Sequence, residues 1–213
     1  MKNNKKKYAL LIILILFIAF FSSQCMMTHT NTGSKKTVAV ILPYTYNKEN
    51  SRILDAIRDY AYNNSIILDV WHEKSLSSNE LSSIIANEEQ NHAIGILLIY
   101  PENYLTQQEK HYDYNNVLAI TDTMQSSFSH HASFETSPSP SYPLPVSAWV
   151  IKKVHEGKTD CIYIKNTYKL GYESIQMLDT YSRNKHMKDI SIPCQKVNKA
   201  AIESGELDAL LTN

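Results

Sequence analysis

From residue 36 onward the chain alternates short, fully apolar runs with longer stretches that are apolar on one side only. Residues 37–42 (Thr-Val-Ala-Val-Ile-Leu) are rich in β-branched side chains and stop at Pro43, which reads as a strand buried on both faces. Over residues 51–63, Ile53, Leu54, Ile57, Tyr60 and Ala61 recur at helical spacing, with Arg52, Asp55, Arg58 and Asp59 opposite them. Residues 65–71 form a second strand. Ser77 or Ser78 caps a second helix running to about Gln90, with Glu80 placed to complete the cap. Residues 93–100 are a third strand halted by Pro101, residues 106–112 a short helix, and residues 117–120 a fourth strand.

Residues 126–145 break this rhythm with serines, histidines and the prolines Pro138, Pro140, Pro143 and Pro145. The segment reads as a crossover or hinge, with an edge strand at 132–135. The alternation then restarts: a helix at 146–156 closed by Gly157, a strand at 161–165, a helix at 171–184, a strand at 189–194, a helix at 198–204 and a strand at 207–211. Strands alternating with helices imply right-handed βαβ units on parallel sheets. The expected fold class is therefore α/β, with two doubly wound parallel-sheet lobes joined by a hinge and the second lobe incomplete. The expected organisation is a signal or anchor segment (1–25), a polar spacer (26–36), an amino-terminal lobe (37–125), the hinge (126–145) and a partial carboxyl-terminal lobe (146–213).

The first residues change the picture of where this happens. Lys2, Lys5, Lys6 and Lys7 precede an uninterrupted apolar run from residue 8 to residue 21. A basic start before a short apolar stretch is the pattern of a secretory signal, and the run falls short of the roughly 20 residues a spanning helix needs. The positive charges keep the start in the cytoplasm and direct the rest outward. The expected location is the cell membrane, with the domain anchored at its extracytoplasmic face.

Composition removes several classes. Lys plus Arg and Asp plus Glu both number 21, so the formal net charge is zero and no basic stripe points to nucleic acid. The five glycines are isolated and form no phosphate cradle, and no nucleophile elbow or P-loop is present. His130 and His131 are adjacent, so an extended segment turns them to opposite faces and away from a common metal ion. No enzyme, cofactor or metal site is expected. Cys161 opens one expected strand and Cys194 closes the next, which separates them beyond disulfide reach and leaves both thiols free.

Ligands of open α/β sheets bind beyond the carboxyl ends of the strands. By that rule the candidates are Tyr44, Tyr46 and Asn47 after the first strand, Trp71 after the second, Tyr100 after the third and Asp122 after the fourth. Asn166 and Tyr168 follow the first strand of the second lobe. Aromatic faces there suit the apolar side of a sugar ring, and Asn and Asp supply orienting hydrogen bonds. The three arginines, Arg52, Arg58 and Arg183, lie on expected outward helix faces, which argues against an anionic ligand.

Two resemblances extend this reading. Phe21-Ser22-Ser23-Gln24-Cys25 resembles the lipobox of bacterial lipoproteins, with Gln24 where a small residue is usual, which implies lipidation of Cys25. The ordered series Val38–Pro43, Ala93–Pro101, residues 117–122, residues 146–164 and Leu207-Asp208-Ala209-Leu210-Leu211-Thr212-Asn213 resembles the type 1 periplasmic binding proteins. That family includes ribose-type sugar receptors and the ligand domain of Lac-repressor-like regulators. The resemblance implies hinge closure around a sugar-like ligand, with Asn213 as a further contact, and delivery to an ABC permease. It equally accommodates ligand sensing together with a two-component membrane kinase.

Overall fold

The computed structural model describes residues 35–45, 47–106, 111–122, 126–144 and 146–205. Its main layer is a six-stranded sheet in the order β2-β1-β3-β4-β5-β8, with every neighbouring pair parallel. The strands are β1 (Lys36–Pro43), β2 (Ile66–Glu73), β3 (Ala93–Ile99), β4 (Val117–Ile120), β5 (His131–Phe134) and β8 (Ile190–Ile192). The inner strands β1, β3 and β4 are buried almost throughout, as their apolar runs require.

One face of this sheet is covered by α1 (Lys48–Asn63) and α4 (Thr167–Asn184), the other by α2 (Ser78–Gln90) and the segments around Tyr104, Tyr112 and Phe128. The capping box expected at Ser77 is present: Ser77 Oγ accepts from the Glu80 N–H, and Glu80 accepts from the Ser77 N–H. Helices α1 and α4 touch closely because Gly171 has no side chain. A Cβ there would lie 2.5 Å from the Ile53 carbonyl oxygen. The C-terminal turns of these helices are joined by Asp179, whose side chain is fully buried. Asp179 accepts from Lys36 (2.5 Å), from the Tyr60 hydroxyl (3.1 Å) and from Arg183. Burial alone would raise this carboxyl, but the bonds from Lys36, Arg183 and Tyr60 outweigh it and hold it below its usual value.

A second, smaller sheet has the order β6-β7-β9, formed by β6 (Ser141–Pro143), β7 (Cys161–Lys165) and β9 (Gln195–Asn198). Helices α3 (Ala148–His155) and α5 (Lys199–Glu203) cover one face, around Leu144, Val150, Val154, Ile162, Ile164 and Val197. Gly157 closes the α3 end in the left-handed conformation (φ 69°). The fold class is the α/β arrangement expected, with a parallel main sheet and a reduced second sheet. The smaller sheet departs from the expected parallel pattern, since β9 runs antiparallel to β7.

Several expectations need correcting. The strand near 132–135 is not an edge, because β8 pairs along it. The strand expected over 189–194 is the shorter β8, which joins the large sheet, and a separate β9 follows it at Gln195–Asn198. Helix α4, expected to belong with the second lobe, packs on α1 and the large sheet. Period and hydrophobicity identify an element but not which sheet it joins. Arg183 is not simply outward, since it reaches the buried Asp179. Cys161 and Cys194 are both free, but they do not lie on neighbouring strands: Cys161 opens β7 of the smaller sheet, and Cys194 sits in the link between β8 and β9. The strand expected at 207–211 and most of the helix expected at 106–112 lie outside the described residues.

Candidate functional site

The strand order reverses between β1 and β3: β2 lies to one side of this pair, and β4, β5 and β8 to the other. Open α/β sheets bind ligands at the carboxyl ends of the strands flanking such a reversal. Here those ends are followed by Tyr44 and the first turn of α1 on one side, and by Tyr100 on the other.

Tyr100 ends the central strand in a left-handed conformation (φ 48°, ψ 60°), uncommon for a bulky residue, and starts the 3₁₀ turn Pro101–Asn103. It is 3% exposed, and its hydroxyl donates to Glu49 Oε1 at 2.7 Å. Burial and the Glu49 charge push the Tyr100 phenol far above its usual range. Burial also raises the Glu49 carboxyl. Asp122 adds to that rise, while the Tyr100 bond and the Lys165 charge oppose it. Glu102 is raised by burial as well, and it accepts the Asp122 N–H at 3.1 Å. Beside Glu49, Asn50 is 3% exposed, and its side-chain amide has no hydrogen-bond partner among the described residues. A buried polar group left in this state costs roughly 1–3 kcal/mol.

Lys165 links this edge to the smaller sheet. It ends β7, its ammonium lies 5.5 Å from the centre of the Phe134 ring, and its charge acts on Glu49. Among the described residues the two sheets are joined by three short crossings: residues 135–140, Asn166, and residues 193–194. The carboxyl ends of β5 and β8, where the first and third crossings leave the large sheet, are tied together, since the Glu135 N–H donates to the Ile192 carbonyl at 2.9 Å.

The residues expected from sequence fall into distinct places. Tyr100 and Asp122 come together with Glu49 and Glu102. Tyr44 is 60% exposed above this edge, with the Lys74 ammonium 4.5 Å from its ring centre. Asn47 and Asn166 cap α1 and α4, accepting from the Asn50 N–H at 2.7 Å and the Lys169 N–H at 2.9 Å. Both caps thus sit at the carboxyl edge of the large sheet. Trp71 lies within β2 rather than beyond it and packs toward α2. Tyr168 bonds Asp59 on α1 at 2.7 Å and lies under Arg52, so its hydroxyl is used to join α4 to α1. Tyr46, Asn213 and Cys25 lie outside the described residues.

Sequence reasoning missed Glu49 and Lys165. Glu49 reads locally as an acidic residue favouring a helix N-terminus, and Lys165 as a polar strand end. Only the strand order brings them to one place.

No protein-family model matches the sequence, and no curated protein matches it. Solved structures do share the fold. The trehalose repressor from Escherichia coli is 9% identical, with 77% of this chain and 100% of that chain covered and a TM-score of 0.50. A XylFII–LytSN complex is 8% identical, covering 78% of this chain and 99% of that one at a TM-score of 0.50. A periplasmic ribose ABC transporter protein from Conexibacter woesei is 9% identical, covering 86% and 97% at a TM-score of 0.50. The chain therefore has the fold of the type 1 periplasmic sugar-binding proteins and Lac-repressor-like regulators. At this identity the likeness establishes the fold alone.

Proposed function

We propose that this protein is a membrane-anchored extracellular solute-binding protein for a sugar or similar small polar ligand, which it delivers to an ABC permease. The observation that carries the reading is the cluster Glu49, Tyr100, Glu102 and Asp122 at the carboxyl edge of β1, β3 and β4, with Lys165 reaching it from the smaller sheet. Glu49, held by the Tyr100 hydroxyl, and Glu102, held by backbone N–H groups, retain acceptor capacity for ligand hydroxyls, and the buried Asn50 amide adds a donor and an acceptor. Short crossings between two sheets suit hinge closure on a ligand. The binding job needs no chemistry by the protein. The basic start, the apolar run and Cys25 supply the anchor.

The test is thermal unfolding of the full chain in detergent micelles against pentoses, hexoses, polyols and nucleosides. A ligand at 100 times its Kd stabilises by about 2.7 kcal/mol, worth roughly 5–10 °C in a domain of this size. A rise with one class that disappears in Glu49→Gln and Asp122→Asn supports the reading. No rise with any class overturns it. The second reading keeps the ligand but gives it to a membrane two-component kinase. It is favoured by the presence of a XylFII–LytSN complex among the similar structures. Co-purification with a permease or with a kinase separates the two.

A further inference from the structure

At the opposite, amino-terminal edge of the large sheet lies a separate cavity of about 570 Å³, within the range of roughly 300–1,000 Å³ typical of small-molecule sites. It opens between the ends of α2 and α4 and the segment leading into β4. Tyr114 and Tyr181 supply aromatic wall. Tyr114 is fixed by a 2.8 Å hydroxyl bond to Ser82 and by stacking on Tyr112.

Two carboxylates line the same space, Glu89 in the last turn of α2 and Asp113 before β4. Each is oriented by a neutral donor: Asn116 Nδ2 donates to Glu89 at 3.0 Å, and Ser129 Oγ to Asp113 at 3.0 Å. Among the described residues neither is matched by a cation within ion-pair distance. The carboxyl-terminal turns of α2 and α4 both end here and add partial negative charge. The charge that opposes them belongs to Lys185, which caps α4 in a left-handed conformation and holds its ammonium 5.3 Å from the centre of the Tyr181 ring. Lys185 thus already lies over one face of the Tyr181 ring.

We infer that this cavity binds a small organic cation, a primary amine whose ammonium lies between Glu89 and Asp113 and whose hydrocarbon part lies against Tyr114 and Tyr181. Lys185 is the internal competitor for the same negative field. The site is independent of the ligand edge proposed above, which lies at the other end of the same strands.

The test is calorimetric titration of the full chain in non-ionic detergent with putrescine and with tyramine. The controls are 1,4-butanediol, which lacks the charge, and glutarate, which reverses it. Binding of the amines alone is expected, weakening as salt is raised. Glu89→Gln and Asp113→Asn are each expected to weaken it about tenfold, the equivalent of about 1.4 kcal/mol. Lys185→Ala is expected to tighten it several-fold, a direction that a purely structural role for Lys185 does not produce. Tyr100→Phe, at the other edge, is expected to leave amine binding unchanged. Equal binding of the diol, no response to Glu89→Gln and Asp113→Asn in proteins that still melt cooperatively, weaker binding in Lys185→Ala, or loss of amine binding in Tyr100→Phe would each overturn the inference. So would the absence of amine binding.

Discussion

Replacing Asp179 with Ala removes one carboxylate and strands three partners. Lys36 and Arg183 keep 38% and 63% of their side chains exposed, so water can rehydrate both and their loss is partly recovered. Tyr60 cannot recover in this way: it is 5% exposed and its hydroxyl donates to Asp179. Breaking a fully buried ion pair costs about 3–5 kcal/mol, and stranding a buried neutral donor about 1–3 kcal/mol. With both cations half in water, the expected loss is about 2–3 kcal/mol, or roughly 5–10 °C in Tm for a domain of this size. Asp179→Asn keeps an acceptor for Tyr60 and is expected to lose about half as much. The pH dependence has a definite sign. The folded carboxyl sits below its usual value, so its stabilising effect is full above the unfolded value of 3.8 and fades as pH falls through the lower folded value. The gap in chemical-denaturation midpoint between wild type and Asp179→Asn should stay constant from pH 8 to pH 5 and narrow below about pH 4. Equal stability of wild type and Asp179→Ala at pH 7 would refute the reasoning. So would a gap that widens in acid.

Gly171→Ala places a methyl group 2.5 Å from the Ile53 carbonyl oxygen, so α1 and α4 must separate; a loss of about 1–3 kcal/mol is expected by denaturant titration. The carboxyls of Glu49 and Glu102 are raised from the usual 4.5, so ligand affinity at that edge should weaken as pH falls while still above 4.5, as measured by calorimetry across a pH series. Cys25→Ser should abolish incorporation of labelled fatty acid into the full chain in a bacterial host; unchanged labelling would assign the lipid to another residue. The denatured, unreduced protein should release the Cys161 and Cys194 thiols to a thiol reagent without prior reduction.

The elements of the large sheet were legible because each is self-sufficient in pattern. β1, β3 and β4 are solid apolar runs, α1 carries its stripe at Ile53, Ile57 and Tyr60, and α2 begins with a complete capping box. What the pattern could not convey was allegiance. The sequence 189–198 holds two strands of different sheets, split at Pro193 and Cys194, and nothing local marks the change of partner. The same holds for the candidate site. Tyr100 and Asp122 were found because they follow strands, whereas Glu49 and Lys165 matter only through the order in which strands lie side by side. Tyr168 illustrates the reverse error: it follows a strand in sequence, yet the helix it starts is turned toward α1, and Asp59 takes its hydroxyl.

The late arrival of α4 and β8 sets the order in which the protein can be assembled. A chain made from its amino end presents five parallel strands and the helices α1 and α2 long before residue 167 appears. Until α4 closes over Leu118, Ile120 and Phe134, that half of the sheet has an uncovered apolar face, and β5 is an open edge until Ile190–Ile192 pairs with it. The nascent chain is thus unable to complete its larger layer early, and the larger sheet closes only after residue 192 has been made. A truncation ending before Asn184 would carry the sticky intermediate permanently, and its expected fate is aggregation rather than a smaller stable domain.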